Sequence, residues 1–109
     1  MPKVSKNKLD KAAYAFIDSN LVAALSNLVD IKQMANMLDS LFTQTERLML
    51  AKRLAIAVLL ERGLSYKRIS GMLKVSSVTI GYVRNSILRN NGPYVRLIKQ
   101  IAGRLTIEV

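Results

Sequence analysis

The 109-residue sequence has no cysteine and no histidine. Their absence excludes disulfides, thiolate chemistry, acid–base catalysis by histidine and the commoner zinc and iron sites. The basic second half of the chain also lacks paired carboxylates. We therefore predict that the protein is not an enzyme and has no catalytic residue, no metal site and no cofactor.

Prolines and aromatic residues are scarce as well. The two prolines are Pro2 and Pro93, and aromatic side chains make up 6 % of a chain that is 50 % hydrophobic. The core must therefore consist of aliphatic residues that suit packed helices, which predicts an all-α fold. The polar start lacks the apolar run of a signal peptide, and no apolar run reaches the roughly 18 residues that span a bilayer. We expect a cytoplasmic protein with no membrane partner.

The positive charge is concentrated in one part of the chain. Five lysines and five acidic residues balance in residues 1–46, so the whole formal charge of +10 belongs to residues 47–109. Such a region attracts a polyanion, because neutralised phosphates release their condensed counterions. A polyanion, such as double-stranded DNA, is the expected partner. The alternative is a basic surface that only promotes solubility.

The length of the chain predicts a single domain of residues 1–109, because cores of this size seldom divide. We assign it four parts, which are a flexible N-terminal tail (1–7), a helical dimerisation core (8–62), a helix-turn-helix (65–88) and a C-terminal helix (93–103).

Apolar residues at three- and four-residue steps predict helices in the first half of the chain. One falls within residues 8–28, where a break near residues 18–20 is an alternative. Asp30 has the position of a cap for the second helix. Thr43 and Glu46 have the spacing of a capping box before a third, in which each residue bonds the backbone amide of the other.

The third helix, which we expect to end at Gly63, is apolar around nearly its whole circumference. A helix of this kind must be buried on all sides, including the surface around Leu54 and Val58. A chain this short has little material to wrap one helix completely, so we predict that a second subunit supplies part of the cover. The alternative is cover by the same domain.

Two short capped helices are predicted next. Ser65 can cap YKRISGML, with inward-facing Ile69, Met72 and Leu73. Ser76 can cap SVTIGYVRNSIL, with an inner face of Ile80, Val83 and Ile87. Two helices joined by a turn of three or four residues are typical of a helix-turn-helix. Lys74 lies in that turn where glycine is usual, which predicts strain or another turn type.

The outer face of the second short helix suits the major groove of DNA. It carries small residues and hydroxyls that can approach bases and phosphates, and Val78 can meet a thymine methyl group. This face consists of Ser77, Val78, Thr79, Gly81, Tyr82 and Asn85, with Lys67, Arg68, Lys74, Arg84 and Arg89 around it. Ser76 and Ser77 also lie at the helix N-terminus, where a phosphate is favoured. The alternatives are that Ser65, Ser76 and Thr79 only cap or pack and that the Tyr82 ring covers the neighbouring helix.

Four segments follow one another between residues 41 and 104: LFTQTER (41–47), KRLAIAVLLERGLSYKRIS (52–70), VSSVTIGYVRNSI (75–87) and NNGPY (90–94). In order and spacing they resemble the tryptophan-repressor superfamily, and its YerC/YecD-like branch more than the repressor itself. The resemblance implies a TrpR-like, intertwined homodimer that binds an operator of two half-sites, one for each helix-turn-helix, as a repressor does.

The resemblance also implies which residues contact bases and phosphates. It adds Tyr66 to the face described above and agrees with that face at Lys67, Ser77, Val78, Thr79 and Gly81. The candidate DNA-binding residues are then Tyr66, Lys67, Arg68, Lys74, Ser76, Ser77, Val78, Thr79, Gly81, Tyr82, Arg84 and Asn85.

The resemblance does not extend to the arginines of the corepressor pocket of the tryptophan repressor. Two arginines hold the ligand there, and the resemblance assigns Ala55 and Tyr82 to their positions, while Thr43 of the same pocket is kept. This argues against tryptophan as an effector and leaves the identity of any effector unknown.

A DNA-binding transcriptional regulator is the leading hypothesis. One alternative is the helix-turn-helix module of a mobile-element or nucleoid-type protein. Another is an interaction module in which the basic C-terminal helix binds a membrane surface or a protein partner. Its apolar face is explained better by docking onto its own domain, because this pattern is ordinary for globular helices.

Overall fold

A computed structural model describes residues 9–89 and 92–104, and these residues form helices joined by short loops without any strand. The helices are α1 (Lys11–Ser26), α2 (Ile31–Leu41), α3 (Gln44–Glu61), α4 (Tyr66–Leu73), α5 (Ser77–Arg89) and α6 (Pro93–Ala102). The all-α prediction is confirmed. The predicted tail of residues 1–7 lies outside the described residues.

The chain divides into two compact units, Met1–Arg47 and Leu48–Val109. The boundary falls within α3, inside the range 8–62 that the sequence suggested as one core. The first unit contains α1, α2 and the first turn of α3. The second contains the rest of α3 and α4 to α6. The organisation as a single domain stays a prediction.

Side-chain caps define the helices of the first unit. The carboxylate of Asp10 accepts a hydrogen bond from the amide of Ala13 at 2.7 Å, and that of Asp30 accepts one from Gln33 at 2.7 Å. The cap at Asp30 is as predicted. The alternative break near residues 18–20 does not occur: α1 runs without interruption from Lys11 to Ser26, and its N-cap is Asp10.

The predicted capping box begins α3. The amide of Glu46 donates to Thr43 Oγ1 at 3.1 Å, and the amide of Thr43 donates to Glu46 Oε1 at 2.9 Å. In the same unit Arg47 pairs with Asp39, an exposed ion pair of small energetic value. At the other end of α3, Gly63 has the predicted left-handed conformation, with φ of 84°.

The helices of the first unit bury no side chain. Neither α1 nor α2 contains a buried residue. Many of the large apolar side chains are exposed instead: Leu9, Tyr14, Phe16, Ile17, Leu21, Val22, Val29, Ile31 and Leu41. Because most helical stability comes from packing of an apolar face, α1 and α2 have little of this source of stability in the first unit.

The second unit, in contrast, has a closed apolar core. Its buried cluster combines the C-terminal half of α3 with α4, α5 and α6, and it consists of Ile56, Ala57, Leu59, Ile69, Ile80, Val83 and Ile98. The guanidinium of Arg62, just after α3, donates a hydrogen bond to the carbonyl oxygen of Ala102 at 2.6 Å. This bond satisfies a carbonyl at the end of α6, which would otherwise lack a helical partner.

The predicted inner face of α4 is correct at two of its three positions. Ile69 is buried and Leu73 is half-buried against the core, whereas Met72 is 38 % exposed. Successive helical residues are 100° apart, so the inner stripe runs through Tyr66, Ile69 and Leu73, and Met72 falls on the opposite side of Ile69 from the other two. Assigning Met72 to the core was therefore wrong.

Strain at Lys74 predicts an unusual effect of glycine on stability. Lys74 has φ of 55° and ψ of 50°, a left-handed conformation that is costly for a residue with a Cβ atom. We expect Lys74→Gly to raise the free energy of unfolding by about 1 kcal/mol, measured as a higher urea midpoint. Arg84→Gly, which removes a cation from the interior of α5, should lower it by a similar amount. An unchanged or lower midpoint for Lys74→Gly would contradict this reading.

Candidate nucleic-acid interface

The predicted helix-turn-helix is formed by α4, a three-residue turn and α5. The hydroxyl of Ser65 accepts a hydrogen bond from the amide of Arg68 at 3.2 Å, and that of Ser76 accepts one from Thr79 at 3.1 Å. Both predicted caps are present. The turn itself is fixed by a hydrogen bond of 2.6 Å from Ser70 Oγ to the carbonyl oxygen of Val75. The geometry of the motif is therefore set by short polar side chains.

The motif is attached to the rest of its unit by its inner face. Ile69 of α4 and Ile80 of α5 are completely buried, and Val83 is 5 % exposed. They belong to the same cluster as Ile56 of α3 and Ile98 of α6. Because packed cores resist deformation, the outer face of α5 is held in a defined orientation by three other helices.

The outer face of the motif is open to solvent at most of the predicted positions. Tyr66 and Gly81 are half-buried, and Tyr66 packs against the core. The remaining ten are exposed: Lys67, Arg68, Lys74, Ser76, Ser77, Val78, Thr79, Tyr82, Arg84 and Asn85. Tyr82 is 61 % exposed, so its ring does not cover the neighbouring helix as the alternative reading proposed.

Two of the predicted hydroxyls have partners within the protein. Ser76 Oγ lies 3.1 Å from Thr79 Oγ1, in addition to accepting the amide of Thr79. Ser76 therefore caps α5, as the sequence predicted. The first two amides of α5, those of Ser77 and Val78, lie beyond the reach of any helical carbonyl and can meet an anion together with the positive end of the helix dipole.

The sequence of the motif and of the residues on either side of it carries charge of one sign. Between Glu61 and Glu108 the sequence has no acidic residue and nine basic ones: Arg62, Lys67, Arg68, Lys74, Arg84, Arg89, Arg96, Lys99 and Arg104. A surface of this kind attracts polyanions over a range set by the salt concentration. Arg62 is partly used within the fold, since it bonds the end of α6.

A comparison with protein-family models adds a decisive observation. The family model of the Trp repressor protein matches residues 19–102, which is most of the chain. This chain belongs to the Trp repressor protein family. Its helix-turn-helix is accordingly that of a family of DNA-binding regulators, and membership in the YerC/YecD-like branch stays a prediction. No curated protein and no solved structure gave a significant match.

The three residues that the sequence assigned to an effector pocket lie immediately before α3, within α3 and on α5. Thr43 caps α3 in the first unit, whereas Ala55 is half-buried on α3 and Tyr82 is exposed on α5, both in the second. None of the three lines the largely apolar cavity of about 360 Å³ between α3, α5 and α6. That cavity was not foreseen, and it includes Arg84, which the sequence assigned only to DNA.

Residues 9–89 and 92–104 contain neither a metal-binding cluster nor a membrane-spanning helix. No group of acidic side chains in them could hold a metal ion. None of the helices that they form combines the length and the apolar character required to cross a membrane.

Substitution of the two glycines within the motif should separate effects on stability from effects on DNA binding. A Cβ atom added at Gly71 of α4 or at Gly81 of α5 would meet nothing within 4 Å. We expect both Gly71→Ala and Gly81→Ala to raise the free energy of unfolding, by up to about 1 kcal/mol each, because alanine favours helix. Only Gly81→Ala should weaken DNA binding, since only Gly81 lies on the outer face of α5. Equal DNA affinities of the two variants, measured by fluorescence anisotropy, would show that this face is not the one that approaches DNA.

Proposed function

We propose that this protein is a sequence-specific transcriptional regulator that acts as a homodimer and represses by occupying an operator. The observation that carries the proposal is the outer face of α5. Its first turns expose Ser77, Val78 and Thr79 with no carboxylate among them, on a helix whose inner face is buried in a core of four helices. A recognition helix needs small side chains in these turns because they come closest to the base edges.

Contacts to phosphates supply most of the affinity in this proposal. Lys67 and Arg68 lie in the first turn of α4 and Lys74 in the turn before α5, and all three are exposed. Cations at such positions flank the recognition helix and fix its register on the duplex without reading sequence. The free amides of Ser77 and Val78 add a place for one further phosphate oxygen.

The dimer is supported by the exposed apolar surface outside the motif. Helices α1 and α2 bury no side chain, and on α3 the residues Leu48, Leu50 and Leu54 are 56 %, 44 % and 39 % exposed. Exposed large apolar side chains in this number mark an interface. A second copy of the chain carries the same surface, and twofold symmetry brings two identical patches together. It would also set two recognition helices against two half-sites.

The other candidate functions have less support. In α6 the apolar face is used within the unit, since Ile98 is 2 % exposed and Ala102 is 9 % exposed, which leaves Leu97 as its main exposed apolar residue. This favours docking over a membrane-surface role. A mobile-element or nucleoid-type module would share the helix-turn-helix, but it would not require one operator with paired half-sites. No effector forms part of the proposal.

Salt dependence tests the phosphate contacts. The logarithm of the affinity should fall linearly with the logarithm of salt concentration, and each neutralised phosphate adds about 0.9 to the slope. We expect Lys67→Ala to lower the slope by roughly 1.8 in a dimer, because each subunit loses one contact. Lys11→Ala, which removes an exposed cation from the start of α1, should leave the slope unchanged. Binding of wild-type protein that does not respond to salt would refute the proposal.

Sedimentation tests the dimer. We expect wild-type protein to sediment as a dimer at micromolar concentration and Phe16→Asp to sediment as a monomer with less helix by circular dichroism, because Phe16 is 68 % exposed on α1 and would lie in the interface. Leu97→Asp places the same charge at an exposed apolar position of α6 and should remain a dimer. A monomeric wild-type protein would rule out the assembly.

Selection from a random pool of duplexes tests the operator. A dimer with one reading helix in each subunit should recover an inverted repeat whose half-sites are about 10 base pairs apart, centre to centre. Recovery of single sites without symmetry, or of no preferred sequence, would favour the nucleoid-type alternative.

A further inference from the structure

The reading face of α5 has an apolar strip. Val78 is 80 % exposed and Tyr82 is 61 % exposed, while Ile80 between them is completely buried. Residues four apart lie on the same side of a helix, about 6 Å apart along its axis. Val78 in the first turn and Tyr82 in the second therefore form a continuous strip that is largely exposed.

Few polar side chains on this face are available to form hydrogen bonds with bases. Ser76 and Thr79 bond to each other through their hydroxyls, and Ser76 also caps the helix. The first seven residues of α5, SVTIGYV, include no arginine, lysine, asparagine or glutamine. These are the side chains that form paired hydrogen bonds with guanine or adenine in the major groove. Asn85, the next candidate, lies two turns along the helix from Val78.

Thymine is the base that such a strip recognises. Its C5-methyl group is the one apolar group on the major-groove edges of the four bases. We propose that Val78 is a specificity-determining residue that packs against a thymine methyl group in each operator half-site, with Tyr82 closing the far side of the contact. The inference rests on the proposed function, and it names the chemistry by which the operator is selected.

The charge around the strip favours DNA over a protein partner. Lys67, Arg68 and Lys74 are exposed in the same motif, and no carboxylate accompanies them between Glu61 and Glu108. An apolar protein interface would seldom be surrounded by cations of one sign without acidic partners. A thymine methyl group, in contrast, always lies between two phosphate backbones, so an apolar contact and flanking cations are needed together.

Deoxyuridine substitution tests the contact directly, because it removes the methyl group and keeps the Watson–Crick pairing. The probe is the duplex recovered from the random pool by the wild-type protein, with its thymines replaced by deoxyuridine one at a time. We expect at least one replacement in each half-site to weaken binding roughly fourfold, which corresponds to about 0.8 kcal/mol for one buried methyl group.

The variant Val78→Ala completes a double-mutant cycle. It should bind the thymine duplex more weakly than wild type and should no longer distinguish thymine from deoxyuridine at the sensitive position. Leu97→Ala, which shortens an exposed apolar side chain of α6, should keep the full fourfold discrimination. Val78 is 80 % exposed, so its truncation should leave the urea midpoint unchanged and allow the comparison to be made on folded protein.

The outcomes separate the inference from the proposed function. If the pool yields no preferred sequence, the proposed function fails. If it yields an operator whose affinity is unchanged by every deoxyuridine replacement, the operator remains and the role of Val78 is wrong. Discrimination that persists in Val78→Ala would likewise overturn the assignment to Val78. A loss of dimer mass in Val78→Ala would indicate that the strip contacts protein instead.

Discussion

The contact of Ile69 and Ile80 with the C-terminal half of α3 is the interaction on which the rest of this structure depends. Both side chains are completely buried, and each comes from one helix of the helix-turn-helix. Their burial orients α4 and α5 together, so the outer face of α5 points away from the core. Removal of either side chain would leave a cavity at the point where the motif is attached.

Local signals in the sequence accounted for much of this architecture. Asp30, Thr43, Ser65 and Ser76 were identified as caps because a hydroxyl or carboxylate stands before each apolar period, and their hydrogen bonds are present. A cap depends on residues three positions away, so it can be read from a short window. At Lys74 the same kind of reading predicted strain or another turn type, and the left-handed conformation of this residue corresponds to the first of these.

Long-range contacts were beyond such reasoning. The hydrogen bond from Arg62 to the carbonyl oxygen of Ala102 joins residues forty positions apart, and nothing near either residue indicates it. Met72 was assigned to the core because three-residue spacing alone does not say on which side of Ile69 the inner stripe continues; the positions of Tyr66 and Leu73 decide this. At the candidate interface, sequence identified which residues face outward, but not that the hydroxyls of Ser76 and Thr79 bond to each other. That bond occupies hydroxyl groups that could otherwise form hydrogen bonds with DNA.

The unequal burial of the two units has a consequence for how much of the protein is folded at a given concentration. Helices α1 and α2 contain no buried residue, so under the proposed dimer most of their folding free energy comes from association. Stability of this kind rises with protein concentration by mass action, whereas the core around Ile56 and Ile69 is independent of it. Heating a dilute sample would therefore melt the first unit early and the helix-turn-helix late. In a cell, the number of copies of the protein would therefore determine how many dimers with two recognition helices are present. It would also determine how quickly proteases degrade the chain.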